Sequence, residues 1–287
     1  MAMTPPTRTD VRREVRIPPT LLVGRDVERA RLRQAIEERR SLLIWGAAGI
    51  GKTALMAKVS SQLPQDVARA TLCLSSIHGL RPLLRALLRE LHKAGDATLR
   101  QQLHAEGIRE GTFKAWLNSL GTSQLKGALY RSVEKGQYRI VLDHMPPLTH
   151  AFAKVVKELV QMRNTPVFLL ARGLSKSEIG HVTDLYWCDR QRMSLGPLPE
   201  RAARDLLEWC IRRFSLARLN SAGFREEMVR LSGRIPGTLV KMCALAAEPR
   251  YQHGSQIKTK LIHIDTLVNG YNSLAPPKLT ERAHGGR

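Results

Sequence analysis

Apolar positions along the chain fall into two patterns, short unbroken runs and stripes at helical spacing. The unbroken runs are Ser41-Leu42-Leu43-Ile44-Trp45, Ala70-Thr71-Leu72-Cys73-Leu74, Tyr138-Arg139-Ile140-Val141-Leu142-Asp143 and Thr165 to Arg172, and the more polar Asp189 to Leu195 leads into a fifth, final strand that closes at Gly196 and Pro197. Runs apolar on both faces fit strands of a parallel sheet that is covered on both sides. Between them lie helical stripes. Leu55, Met56, Val59 and Leu63 recur until Pro64, and Leu80, Leu83, Leu84, Leu87, Leu88 and Leu91 follow with Pro82 in the first turn, where a missing N–H is harmless. Gly111 to Gly136 is helical with Phe113, Trp116, Leu117, Leu120, Leu125, Leu129 and Val133 inward, and Pro147 is expected to start a helix carrying Phe152, Val155, Val156, Leu159 and Val160.

Strands alternating with helices predict an α/β core with a parallel five-stranded sheet over residues 20–196. From Pro199 onward only helical stripes remain. Leu206, Leu207, Cys210, Ile211 and Phe214 form one, Phe224, Met228, Val229 and Leu231 another, and Leu239, Met242, Cys243 and Ala246 a third; Ile257, Leu261 and Ile264 suggest one more short helix or strand. This predicts a small all-helical unit over residues 197–272. Residues 1–19, with four prolines around Arg8, Arg12, Arg13 and Arg16, read as a flexible basic arm, and 273–287 as a loose tail.

The first strand run leads into Gly46-Ala47-Ala48-Gly49-Ile50-Gly51-Lys52-Thr53, a complete G-x-x-x-x-G-K-[ST] pattern with a strand before it and a helix after it. Glycines let the backbone curl so that successive N–H groups point at a phosphate, and the helix start adds its positive dipole end. Lys52 would reach the β and γ phosphates, and the Thr53 hydroxyl would face Mg²⁺. The third strand ends in Asp143, the Walker B arrangement, in which a carboxylate at a strand tip supports the same metal.

Ahead of the loop, Leu21-Leu22-Val23-Gly24-Arg25-Asp26-Val27-Glu28 precedes a helix with Leu32 and Ile36 inside. This box is similar to the N-terminal box of AAA+ ATPases and their STAND relatives, the NB-ARC, NACHT and origin-recognition groups. Ser232-Gly233-Arg234-Ile235-Pro236-Gly237 likewise resembles the Gly-x-Pro signature in the lid of STAND and origin-recognition ATPases. The resemblance implies the three-layer P-loop NTPase core with strand order 5-1-4-3-2, followed by a helical lid. It implies ATP with Mg²⁺ between core and lid, Val23, Gly24 and Arg25 near the base, Arg172 at the fourth strand end sensing the γ-phosphate, and Pro236 packing on the adenine side. Arg190 or Arg192 would act in trans if copies assemble. One departure stands out: the family usually follows the Walker B aspartate with a water-orienting Glu, and here the residue is His144.

Lys and Arg number 46 against 25 Asp and Glu, a net charge of +21 and a pI near 10.6, so the surface attracts polyanions. Arg81, Arg85, Arg89 and Lys93 fall four apart along one helix, either a solvated face or a contact for phosphate backbones or an acidic partner. Cys73, Cys188, Cys210 and Cys243 lie far apart, with no metal-ligand spacing, as expected of buried thiols in a reducing compartment. No apolar run approaches the roughly 20 residues of a membrane span, so a cytoplasmic protein without membrane contact is the expectation. Two readings remain open. One is a hydrolysing ATPase acting with nucleic acid and a protein partner, resembling transposon-encoded and helicase-loading ATPases. The other is a slow or non-hydrolysing nucleotide-binding module that regulates a protein partner.

Overall fold

In a computed structural model, residues 22–162, 164–185, 188–217, 222–254 and 256–272 are described. The basic arm, the tail and Leu21 of the N-terminal box lie outside them. The chain divides into two compact units at Pro197–Leu198.

In the first unit the five expected strands form as β1 (Leu42–Trp45), β2 (Thr71–Ser75), β3 (Arg139–Asp143), β4 (Val167–Ala171) and β5 (Arg192–Ser194). All pair in parallel, in the order β2-β3-β4-β1-β5, which is the order the family resemblance implies, read from the other edge. The central strands β3 and β4 are buried at every residue, which is why their sequences do not alternate. Trp45 is level with Ala171 and Ser194, and Ser75 with Asp143, so Gly46, His144 and Arg172 all follow the carboxyl ends of their strands. Crevices at such ends are where open α/β sheets take their ligands.

The helices of this unit are α1 (Asp26–Glu37), α2 (Lys52–Ser60), α3 (Gln65–Arg69), α4 (Leu80–Ala94), α5 (Ala97–Ala105), α6 (Phe113–Ser119), α7 (Thr122–Lys135), α8 (His150–Gln161) and α9 (Lys176–Ile179). In α4, Leu83, Leu84, Leu87, Leu88 and Leu91 are all fully buried, and each contributes about 2 kcal/mol by leaving water. The helical stretch between β2 and β3 is stitched to the sheet by Asp96, which accepts from Leu99 N at 2.6 Å, capping α5, and from the Tyr138 hydroxyl at 2.7 Å. Burial and the Asp96 carboxylate push the Tyr138 phenol well above its ordinary pKa, so it stays a donor.

Some expectations need correction. Pro147 does not start α8; Thr149 does, its side chain accepting from Phe152 N, because a threonine oxygen satisfies an orphan N–H that proline cannot. Leu63 falls beyond α2, which ends at Ser60. The ridge on α4 is partly tied down, since Arg81 donates to Leu120 O at 2.8 Å and Arg85 to Asn118 O at 2.7 Å, while Lys93 pairs with Glu90.

The second unit holds α10 (Glu200–Arg213), α11 (Ala222–Leu231), α12 (Pro236–Ala246) and α13 (Thr259–Asn272), with Gln252–His253 paired antiparallel to Gln256–Ile257. Leu206, Leu207, Cys210, Met228, Leu239, Met242 and Cys243 fill its centre, whereas Phe214 and Leu231 are only half-buried. Cys73 and Cys188, expected inside, are exposed. Before α12 the chain turns through Gly233 at φ +59° and Arg234 at φ +58°, and Pro236 takes the first helical position, where its fixed φ suits the helix. In α13 Thr259, Ile262 and Thr266 are buried, and Leu261 and Ile264 face outward. Among the described residues no helix is long and apolar enough to cross a membrane.

Candidate functional site

The loop between β1 and α2 takes its shape from backbone constraints. Gly46 has φ +155°, and a Cβ there would sit 2.5 Å from Leu195 O, so no other residue fits. Gly49 and Gly51 also have positive φ, and Gly51 caps α2 in the left-handed region. Gly46 N donates to Ala171 O, fastening the start of the loop to β4, and the Ile50 side chain is buried beneath it. The N–H groups of Gly49, Gly51, Lys52 and Thr53 donate to no acceptor among the described residues, as expected of a helix start that presents them to an anion.

Arg25 is the buttress. It is 4 % exposed, donates to Gly196 O at 2.6 Å and to Ile50 O at 3.3 Å, and pairs with Glu28 at 2.9 Å. All of its described partners are therefore structural, and Val23 and Gly24 lie half-buried just before it. Arg25 thereby joins the loop to the chain leaving β5, beside the base-pocket role that the family resemblance implies for it.

Lys52 folds back, its Nζ donating to Gly46 O at 2.6 Å and Ala47 O at 3.1 Å. Burial lowers its pKa, Arg172 lowers it further, and Asp143 and Glu178 oppose them. A half-buried cation beside a second cation favours the arrival of an anion. Arg172, exposed directly after β4, is thus placed near Lys52. Glu178 of α9 is a neighbour that no sequence signal pointed to.

Asp143 closes the site. Its Oδ2 accepts from Thr53 Oγ1 at 2.6 Å, and its Oδ1 accepts from His144 N at 2.9 Å and lies 3.0 Å from His144 Nδ1. His144 has φ +51°, and its side chain is 57 % exposed. The structure so brings Lys52, Thr53, Asp143 and Arg172 together around the loop. Ala47, Ala48 and Gly49 form its exposed crest, and Pro236 lies in the second unit. Among the described residues no three His, Cys, Asp or Glu side chains are placed to hold a metal ion. A hydroxyl and one carboxylate in contact do fit Mg²⁺, which keeps several waters and takes its remaining ligands from substrate phosphates.

A family model described as an AAA ATPase domain matches residues 21–171. No curated protein matches the sequence. Among solved structures, the chain is similar to a Walker-type ATPase of Pyrococcus abyssi, at 13 % identity and a TM-score of 0.58, covering 88 % of this chain and 75 % of that one. It is similar to the ORC1 protein of Aeropyrum pernix in complex with DNA, at 13 % identity and TM-score 0.53, covering 88 % and 68 %. It is also similar to the Drosophila ORC bound to DNA, at 14 % identity and TM-score 0.55, covering 94 % and 71 %. At such identities the likeness shows the fold alone.

Proposed function

The chain belongs to the AAA ATPase domain family, and from that premise we propose that it is an ATP- and Mg²⁺-dependent switch that acts on nucleic acid, in the manner of transposition or helicase-loading ATPases. The observation that carries this reading is the convergence of Lys52, Thr53 and Asp143, with Thr53 Oγ1 and Asp143 Oδ2 2.6 Å apart beside unpaired loop N–H groups. In this reading Lys52 leaves the Gly46 and Ala47 carbonyls for a phosphate, which relieves the penalty that burial and Arg172 place on its charge. Thr53 and Asp143 hold the metal, and Arg172 senses the γ-phosphate. Bound Mg²⁺ supplies neutralisation of the phosphate oxygens. Pro236 and the helical unit, acting as a lid, report the nucleotide state, and copies assemble where Arg190 or Arg192 serves a neighbour. The net charge of +21 and the DNA in two of the similar structures support a nucleic-acid partner.

His144 favours a second reading, a slow or non-hydrolysing regulatory module. Its Nδ1 is turned toward Asp143 at the position where a water-orienting Glu is expected, so its imidazole is engaged with the carboxylate.

The test is steady-state ATP turnover with and without duplex DNA at low and moderate salt. DNA-stimulated turnover that fades with salt is expected. Turnover indifferent to DNA refutes the nucleic-acid reading, and turnover absent while ATP still binds selects the regulatory module. Lys52→Ala should weaken ATP binding by about 100-fold, the loss of one charge-assisted phosphate contact; unchanged affinity in a direct binding assay refutes the site itself.

A further inference from the structure

One charge in the first unit has no counterpart. Arg139 opens β3 at the amino end of the sheet, and it is only 9 % exposed. Its Nε is sealed from water without a hydrogen-bond partner, and its two Nη atoms, which keep contact with solvent, have no partner among the described residues either. A buried guanidinium is ordinarily matched by a carboxylate, a carbonyl or a bound anion, because an unmatched charge away from water is costly.

The neighbourhood does not supply that match. Arg39, in the turn between α1 and β1, donates to Gln137 Oε1, two residues before Arg139, and its other side-chain donors make no described bond. Burial lowers the pKa of Arg139 and Arg39 lowers it further, while Asp66 of α3 opposes them with the smallest effect of the three. Asp66 is exposed and charged, yet no ion pair joins it to Arg139. Of the other carboxylates at this end, Glu38 is held by Gln34 and Arg40, and Glu37 and Glu134 are exposed and are not among the charges that act on Arg139. Two guanidinium groups thus lie close enough to repel, with no carboxylate in contact with either.

We propose that Arg139 and Arg39 form a second phosphate-binding site, whose ligand is a backbone phosphate of nucleic acid. A planar guanidinium meets two phosphate oxygens at once, and the net charge of +21 draws polyanions to the chain. The site stands apart from the loop at 46–53, because β3 carries Arg139 at one end and Asp143 at the other, about 13 Å away. It names a contact for the nucleic-acid partner proposed above and rests on that half of the reading, but it needs neither ATP nor hydrolysis.

A sealed Nε–H exchanges slowly with water, so Arg139 should give its own side-chain NMR signal, assigned by its loss in Arg139→Met. Inorganic phosphate titrated into the full chain should shift that signal with a midpoint of about 1 mM, and the shift should persist in Lys52→Ala. A signal unmoved by phosphate, or moved as far by chloride at equal ionic strength, overturns the site. Short duplex DNA should move the same signal, and the slope of log affinity against log salt should fall by about one in Arg139→Met, the loss of one phosphate contact. DNA binding with an unchanged slope overturns the nucleic-acid assignment and leaves the reading above standing, whereas a parent chain that binds no DNA refutes both. Displacement of phosphate by polyglutamate and not by DNA assigns the pair to an acidic protein and also overturns it. Arg139→Met should unfold at the parent's temperature or above, since an apolar side chain replaces an unpaired charge; a clear fall shows a structural partner for Arg139 and overturns the proposal.

Discussion

The loop at residues 46–53 and the tip of β3 at 143–144 face the same site, yet different means hold them. The loop is set by backbone: Gly46 pressed against Leu195 O, the left-handed Gly51, and Arg25 under the carbonyls of Ile50 and Gly196. The tip is set by side chains, with Thr53 and His144 both directed at one carboxylate and the backbone of His144 left-handed without being glycine. A rigid cradle thus stands beside an adjustable tip. In the proposed reading the cradle holds the phosphates that ATP and ADP share, whereas the tip meets the metal, the water and the γ-phosphate, which change between the two states.

The strongest way to break this contrast is Gly46→Ala. The added Cβ collides with a carbonyl on a neighbouring segment, so a loss of about 2–3 kcal/mol in urea unfolding is expected, together with loss of ATP binding. Near-parental stability would mean that the cradle reshapes freely. Arg25→Met keeps the stem and removes the donors, leaving two loop-side carbonyls unpaired. It should cost about 1–3 kcal/mol and weaken ATP binding less than Lys52→Ala does; ATP affinity as poor as that of Lys52→Ala would place Arg25 on the ligand instead. The smallest effect belongs to the tip. His144→Gly removes left-handed strain and only an exposed pairing with Asp143, so a gain of up to about 1 kcal/mol is expected. A loss in the same unfolding experiment would show that the pairing outweighs the strain.

The same contrast governs what could be read in advance. Glycine is selected by backbone geometry, so the loop stands written in the sequence, and β1, β3 and β4 announce themselves because both of their faces are buried. The partners of Asp143 come from separate segments, and spacing does not reveal their contact. Arg25 reads as a ligand group because it sits in a motif, and only the folded chain shows its carbonyl partners. The helix α3 buries no side chain and α5 buries only Leu99 and Leu103, too thin a stripe to announce either. In α13 the apolar residues lie on both the buried and the exposed side, so Ile257, Leu261 and Ile264 left helix and strand undecided.

Asp96 has one more consequence, a mechanical one. It caps α5 with one oxygen and holds Tyr138 with the other, and Tyr138 immediately precedes the strand that ends in Asp143. That strand is clamped on both sides by parallel neighbours and does not stretch. The helices between β2 and β3 thus meet this strand in three ways at once: through the Asp96 carboxylate, through the buried leucines of α4, and through the short chain from Lys135 to Tyr138.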